Sequence, residues 1–280
     1  GIVFIVEPGY LEWQTVILLS SLKAFCYDNY NIYAYCREDR IDGLKAQTLE
    51  FLRDRNVTLT GVSNPFPDGY PQGNKIVACA AQRPESVTVF LDTDVMLTRP
   101  LRFWDVIRKD SLCAVPVREK TWSDEIVAWQ QLFAKAGVAM PGLRVRLGKK
   151  PVVWVPYFNG GVLIYSSSTF GHTWLETALE IDRFEGLPSF RPWLDQVSLT
   201  VAALRQEFEI CVLDLAWNDT PQTWDNETNI LHYHTWKDLR DYGGSELADA
   251  LVASFTNFST VRELLSSPIA SSKPLPDHLT

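Results

Sequence analysis

The sequence predicts an α/β fold in which helices cover a mostly parallel central sheet. Apolar runs of strand length alternate with apolar residues at helical spacing, and short loops join them. The chain has 280 residues, of which 46% are hydrophobic, so it can bury one large core. Because no linker rich in proline, glycine or serine interrupts its middle, we predict one domain over residues 1–265. Residues 266–280, rich in proline and serine, are predicted to form a flexible tail.

The first part of the chain alternates strands and helices regularly. The predicted strands are Ile2–Val6, Asn31–Tyr35, Val57–Leu59 and Val87–Leu91. The predicted helices between them are Trp13–Phe25, Leu44–Leu52 and Asn74–Ala81. A helix between successive strands returns the chain to the same edge of the sheet, so these strands are expected to be parallel.

The order of elements becomes less regular after residue 94. The predicted strands are Ser111–Val115, Val152–Val155, Val162–Tyr165, Glu209–Leu213 and Ile230–His234. The predicted helices are Asp124–Ala136, Thr169–Ile181 and Leu194–Leu204.

Composition narrows the class of protein. The net charge of −8 argues against a nucleic-acid partner, which needs a concentrated basic surface. The five cysteines show no C-x-x-C spacing, which indicates reduced thiols. We therefore expect a cytoplasmic protein, and a location at the periphery of a membrane remains open. No apolar stretch is long enough to span a bilayer. The sequence does not indicate an oligomeric state.

Two carboxylates end the strand Val87–Leu91. Ligands of open α/β sheets bind at the carboxyl ends of the strands, so Asp92 and Asp94 are expected to face a substrate crevice. Two close carboxylates repel unless a cation lies between them, and Mn²⁺ or Mg²⁺ bridging to a diphosphate meets that need. The alternative is an acidic strand end followed by a turn.

Two polar segments lie further along the chain. In Asn159-Gly160-Gly161 the glycines would allow a bound group to approach the backbone, although Asn-Gly is also a strong hairpin signal. Asp195 begins a predicted helix, where it either caps backbone N–H groups or holds a hydroxylated substrate.

The last predicted strand and the residues after it contain two histidines and a lysine. His232 and His234 would share one side of an extended strand, and Lys237 follows. Imidazole is a common metal ligand and lysine a natural phosphate binder, so this segment is a candidate for both roles. The alternative is that the histidines are structural.

The order of these motifs resembles the GT-A-fold, Rossmann-like glycosyltransferases of the glycogenin, galactinol synthase and bacterial lipopolysaccharide type. The motifs are the Asp92-x-Asp94 strand end, Asn159-Gly160-Gly161, Asp195-Gln196, Trp217-Asn218 and His232. The resemblance implies metal-dependent transfer of a sugar from a nucleotide sugar, expected to be a UDP-sugar, with retention of anomeric configuration. The acceptor would be the hydroxyl of a glycan, a small polyol or a glycolipid.

The resemblance also implies roles for single residues. Asp92, Asp94 and His232 would bind Mn²⁺ or Mg²⁺, and Tyr10 would stack on a uracil ring. The implied catalytic residues are Asn159, Asp195 and Gln196. The implied donor-binding residues are Val6, Glu7, Tyr10, Lys75, Asp92, Thr93, Asn159, Gly160, Gly161 and Lys237.

Other functions remain open at this point. A phosphatase of the haloacid-dehalogenase type also places Asp-x-Asp after an apolar strand, but near the start of its core domain. A nucleotidyltransferase would show a glycine-rich basic loop after its first strand, and a non-catalytic sugar-nucleotide-binding protein would not need three metal ligands. One basic cluster, Arg144, Arg146, Lys149 and Lys150, is either a solvated loop or a contact for an anionic acceptor such as a phospho-sugar, an acidic glycan or a lipid head group.

Overall fold

A computed structural model describes residues 1–269 of the chain, and these divide into two compact units. Unit 1 contains residues 1–63, 91–105 and those from 216 onward, and unit 2 contains residues 64–90 and 106–215. The single domain expected over residues 1–265 stays a prediction. The predicted tail starts at residue 266, but Ile269 is buried in a core of unit 1, so packed structure reaches that residue. Residues 270–280 lie outside the described part.

The secondary structure confirms an α/β fold. The strands are β1 Ile2–Ile5, β2 Ile32–Arg37, β3 Val57–Val62, β4 Val87–Leu91, β5 Val95–Leu97, β6 Ser111–Pro116, β7 Val145–Arg146, β8 Val153–Trp154, β9 Phe158–Ser166, β10 Glu209–Val212 and β11 Ile230–His232. The helices are α1 Tyr10–Phe25, α2 Ala46–Asp54, α3 Gly73–Ala80, α4 Ile126–Lys135, α5 Phe170–Ile181, α6 Leu194–Arg205, α7 Trp236–Asp241, α8 Ser245–Phe255 and α9 Val261–Leu265.

Seven of these strands belong to a mostly parallel sheet, as the sequence predicts. In unit 1, β1 pairs in parallel with β2 and β2 with β3, and α1 and α2 are the crossovers that this pairing requires. In unit 2 the order is β10-β6-β9-β4, with β10 parallel and β9 antiparallel to β6. A separate antiparallel pair in unit 1 joins β5 to β11.

Helix α1 forms the centre of the unit 1 core. Its residues from Glu12 to Leu22 are all buried, and Trp13, Val16 and Ile17 pack in one cluster with apolar residues of β11, α7, α8 and α9. The Glu12 carboxylate accepts the N–H groups of Gly9 and Lys45, both at 2.9 Å. This buried carboxylate therefore fixes the start of α1 and the segment that leads into α2.

Two predicted strand boundaries differ from the structure, and one region was left unassigned. The strand predicted over Val162–Tyr165 starts earlier, because β9 begins at Phe158 and includes Asn159-Gly160-Gly161; neither glycine has a positive φ, which excludes the hairpin alternative. The last strand ends at His232, and His234 turns away with φ of +54°. Residues 236–265 were assigned no element but form α7, α8 and α9, because their apolar residues repeat at helical spacing and cover α1.

All five cysteines are free thiols. In the part of the chain that the structure describes, no helix is both long and apolar enough to cross a membrane.

Candidate active site

The pairing of β5 with β11 builds a group of metal-ligating side chains in unit 1. β5 begins directly after Asp94, and its Val95 lies opposite His232. His232 Nε2 lies 3.1 Å from Asp94 Oδ1, and His234 Nδ1 lies 3.5 Å from Asp94 Oδ2. Among the described residues these three side chains place their ligand atoms within 4.8 Å of one another. We call Asp94, His232 and His234 the Asp/His group.

The donor set of this group fits a divalent metal ion. One carboxylate and two imidazoles suit Mn²⁺, which accepts both oxygen and nitrogen ligands. The predicted ligands Asp94 and His232 lie together, whereas Asp92 is not a member of the group found within residues 1–269. The Asp92 carbonyl accepts the N–H of Val95 at 3.3 Å, which turns the chain between the two aspartates. Asp92 as a ligand stays a prediction, and His234 is a candidate that the resemblance did not assign.

A left-handed turn after β11 brings the second imidazole to Asp94. His234 has φ of +54°, a conformation that residues other than glycine rarely adopt. Its carbonyl accepts hydrogen bonds from the Tyr10 hydroxyl at 3.0 Å and from Gln14 Nε2 at 3.2 Å. The N–H of Tyr233 donates to the Asp94 carbonyl at 3.0 Å. Such over-determined backbone is common at functional sites.

The buried Asn218 contacts the far side of the His232 ring. Asn218 Oδ1 lies 3.0 Å from His232 Nδ1. With a metal ion bound, the N–H at Nδ1 would donate to this oxygen, and the lone pair of Nε2 would face the metal. Partners of this kind fix the tautomer and orientation of metal-binding histidines. The sequence showed Asn218 as part of a motif but gave it no role.

The histidines control the charge of Asp94. Burial raises the pKa of the Asp94 carboxyl, but the charge of His232 and hydrogen bonds from His232 and His234 outweigh burial and hold that pKa well below its usual range. Asp94 is therefore an anion at neutral pH, the form that binds a cation.

The loop after β1, predicted to hold the nucleobase, is anchored inside unit 1. Val6 is buried in the core, and Glu7 forms an ion pair with Arg40 at 2.6 Å. Burial raises the pKa of Glu7, against the effect of Arg40. Burial and the charge of Asp94 raise the pKa of Tyr10 to about 12, so its hydroxyl stays protonated at neutral pH. The ion pair between Arg40 and Glu7 could not be predicted, because no sequence motif links the two positions.

Two predicted donor-binding side chains have internal partners in unit 1. The Thr93 hydroxyl donates to the Ile5 carbonyl and is buried. Lys237 lies in α7 with its side chain 76% exposed, and its Nζ is 3.2 Å from Asp241 Oδ2. Their contacts with a donor stay predictions.

In unit 2, Lys75, Gly160 and Asp195 lie together, from α3, β9 and α6. Lys75 Nζ is 3.2 Å from Asp195 Oδ2. A Cβ at Gly160 would lie 2.8 Å from that oxygen and 3.2 Å from the Lys75 nitrogen. The absence of a side chain at residue 160 thus allows the ion pair to lie against the strand, and the approach of a bound group to this glycine stays a prediction.

Tyr70, which no sequence motif marks, holds Asp195 in place. The Tyr70 hydroxyl lies 2.7 Å from the Pro192 carbonyl, 3.2 Å from Asp195 Oδ1 and 3.2 Å from the Asp195 N–H. Residue Trp193 is the N-cap of α6 and makes no side-chain cap bond. The Asp195 carboxylate, which is buried, therefore contacts side chains and is not the N-cap of its helix.

A second contact keeps Tyr70 near this helix start. Arg191 binds Asp182 through two nitrogens, at 3.1 and 2.6 Å, and donates to the Pro67 carbonyl at 2.9 Å. Its guanidinium carbon lies 5.1 Å from the centre of the Tyr70 ring. No motif links these positions in sequence, so their contacts could not be predicted.

The other predicted catalytic residues of unit 2 are partly buried. Asn159 Oδ1 accepts the N–H of Gly161 at 2.7 Å, so the Asn-Gly-Gly segment is braced locally. Gln196 follows Asp195 in the first turn of α6. Their catalytic roles stay predictions.

The family match below and the fold together identify a glycosyltransferase of the GT-A fold, which confirms the predicted enzyme class. The chain belongs to the family described as the Rhodobacterales glycosyltransferase domain, which it matches over residues 2–207. No curated protein matches the sequence.

Solved glycosyltransferases share the fold. The chain is similar to galactosyltransferase LgtC in complex with donor and acceptor sugar analogues, with 17% identity, a TM-score of 0.59 and coverage of 92% of this chain and 96% of that one. It is also similar to mouse xyloside xylosyltransferase 1, with 14% identity, a TM-score of 0.50 and coverage of 83% and 96%. A third similar structure is that of GlyE of Streptococcus pneumoniae TIGR4, with 15% identity, a TM-score of 0.51 and coverage of 84% of this chain and 54% of that one.

Proposed function

We propose that this glycosyltransferase transfers a sugar from a UDP-sugar to a hydroxyl acceptor, with retention and with Mn²⁺ or Mg²⁺ as cofactor. The observation that carries the proposal is the Asp/His group, which lies in unit 1 beside the Tyr10 loop. LgtC binds donor and acceptor sugar analogues, which supports a reaction with two sugar substrates. The family match favours this reaction over a phosphatase or a non-catalytic binding protein.

The proposed role of unit 1 is to hold the leaving nucleotide. A divalent metal ion there would neutralise the charge that develops on the departing diphosphate. Asp94 and His232 supply ligand atoms, Asn218 fixes the His232 ring, and Asp92 is proposed as a further ligand. His234 competes with Asp92 for that assignment.

Substitution of Asp94 tests the metal assignment. Asp94→Asn should abolish Mn²⁺ binding, measured by calorimetry, and metal-dependent UDP release from a panel of UDP-hexoses. Asp105→Asn, which alters an exposed carboxylate of unit 1, is the matched control and should behave as the wild type. Comparing Asp92→Asn with His234→Ala identifies the third ligand. Normal Mn²⁺ affinity and turnover in Asp94→Asn would exclude the proposed site.

The proposed nucleotide is uridine diphosphate, with Tyr10 against the base. Because the Tyr10 hydroxyl donates to the His234 carbonyl at 3.0 Å, the ring is fixed next to the Asp/His group. Calorimetric titration in Mn²⁺ should rank UDP above other nucleoside diphosphates. A guanosine or cytidine nucleotide that binds tenfold more tightly than UDP, about 1.4 kcal/mol, would contradict the assignment.

The proposed role of unit 2 is to bind the transferred sugar. The buried Asp195 carboxylate, paired with Lys75, is suited to stabilise positive charge that develops at an anomeric carbon. Asn159 and Gln196 are proposed to bind sugar hydroxyls. Asp195→Asn should lower kcat and leave KM for the donor nearly unchanged, because the charge matters most in the transition state. A destabilised variant with normal kcat would show that the carboxylate is only structural.

A further inference from the structure

The hairpin of β7 and β8 in unit 2 presents cations and valines on its outer surface. Val145 and Leu147 are buried, and the N–H of Leu147 donates to the Val152 carbonyl at 2.9 Å to close the loop. In the loop between them, Lys149 and Lys150 are exposed. We define the hairpin patch as the exposed residues Arg144, Arg146, Lys149, Lys150, Val152 and Val153.

Two neighbouring valines form the apolar part of the patch. Val152 and Val153 are two of the ten large hydrophobic residues that are exposed in the described chain. Val152 is 37% and Val153 58% exposed, and Val153 lies directly opposite Arg146 across the two strands. Neighbours opposite each other in a ladder share a face, so apolar and cationic side chains project together. Exposed apolar residues beside charges mark interaction surfaces.

The positive charge is concentrated here although the whole chain is acidic. Residues 118–150 carry seven Lys and Arg against three Asp and Glu, in a chain of net charge −8. Lys120 Nζ lies 3.5 Å from the centre of the Trp154 ring, which holds a further cation at the base of the hairpin. The acidic remainder is screened beyond about 8 Å at physiological salt, so an approaching partner meets the local charge.

Arg144, Arg146 and Lys150 of the patch have exposed side chains that an approaching partner can reach. Lys150 pairs with Glu119 at 2.9 Å, but both side chains are mostly exposed, and such surface pairs contribute little. Arg144 donates only to the nearby carbonyls of Pro141 and Leu143 among the bonds found for it. A partner that presents anionic groups next to an apolar layer would bind the cations and the valines of the patch at the same time.

We propose that the hairpin patch docks the protein on a bilayer surface that bears anionic head groups. The valines would enter the interfacial layer, and the four cations would contact lipid phosphates. An acidic glycan or a nucleic acid would satisfy the cations but not the exposed valines. The inference is independent of the proposed donor and metal.

Vesicle sedimentation tests the proposal with the full chain. We expect binding to vesicles of phosphatidylcholine mixed with phosphatidylglycerol, little binding to phosphatidylcholine alone, and weaker binding as salt rises. Each basic residue near such a surface contributes about fivefold, so a triple variant (Arg146→Gln, Lys149→Gln, Lys150→Gln) should bind at least tenfold more weakly. Val152→Ser with Val153→Ser should weaken binding and leave its salt dependence in place.

A charge-matched control separates the patch from overall charge. The variant Arg53→Gln, Lys109→Gln, Arg262→Gln removes three exposed cations elsewhere and should bind vesicles as the wild type does. Soluble glycerol phosphate should not displace the protein from the vesicles. Equal loss in both triple variants, equal binding to neutral vesicles, or no sedimentation of the wild type at low salt would each overturn the proposal. A hairpin-dependent dimer in light scattering without vesicle binding would overturn it in favour of a contact between copies.

Discussion

Removing one hydroxyl, in Tyr70→Phe, tests how Asp195 is held. In the wild type this hydroxyl lies between the Pro192 carbonyl, the Asp195 carboxylate and the Asp195 N–H, at 2.7, 3.2 and 3.2 Å. Phenylalanine keeps the ring packing and leaves these groups without that partner. A buried polar group left unpaired costs about 1 to 3 kcal/mol, so we expect the free energy of unfolding to fall by about 2 kcal/mol.

The effect on turnover distinguishes positioning from packing. With Tyr70 changed, the Asp195 carboxylate keeps Lys75 but loses a fixed orientation. We expect kcat to fall about tenfold, equivalent to about 1.4 kcal/mol of transition-state stabilisation, with KM for the UDP-sugar nearly unchanged. The assay is UDP release from a UDP-hexose in Mn²⁺, measured well below the melting temperature so that the variant is folded.

Tyr165→Phe is the matched control. Tyr165 is also buried in unit 2, and its hydroxyl donates to the Cys79 carbonyl at 3.1 Å. This control should lower the melting temperature and leave kcat unchanged. If Tyr70→Phe gives the same pattern, the hydroxyl only stabilises the fold, and the reasoning about Asp195 is wrong.

Two further variants probe the clusters separately. Gly160→Ala should lower kcat and destabilise the protein by about 1 to 3 kcal/mol. The new methyl group would lie 2.8 Å from the Asp195 carboxylate and would force the ion pair with Lys75 apart. An unchanged melting curve and unchanged turnover would show that the strand accommodates the methyl group easily. Asn218→Ala should weaken Mn²⁺ binding about 10- to 100-fold in calorimetry because His232 loses the partner that fixes its tautomer, and wild-type affinity would remove Asn218 from the site.

The fold could be predicted because its signals are local. Strands such as β1 and β4 are continuous apolar runs, and helices such as α5 show clear helical spacing, so their existence follows from short windows of sequence. The start of β9 was placed too late, at Val162, because the Asn-Gly dipeptide suits both a turn and a strand that other side chains approach closely. Only the tertiary neighbours Lys75 and Asp195 distinguish these cases.

Site residues could be predicted where they belong to an ordered set of sequence motifs. Residues that reach the site only through tertiary packing could not be predicted. The proximity of Asp94 to His232 was expected from their place in the order of motifs, and the two side chains do meet. The position of His234 depends on a left-handed turn, which no residue type at that place announces. Tyr70 contacts Asp195 through a loop whose course the sequence does not encode locally.

The β5–β11 pairing links segments more than a hundred residues apart, which has a consequence for folding kinetics. Closing a loop of that length costs about 4 kcal/mol of chain entropy, so this pair is expected to form after the local strand and helix contacts of β1, β2 and β3. His232 lies beyond the residues that match the family, 2–207, and reaches Asp94 only through this late pairing. During synthesis, most of the sheet can therefore assemble while Asp94 still lacks both imidazoles. Acquisition of Mn²⁺ affinity would then mark the completion of folding in unit 1.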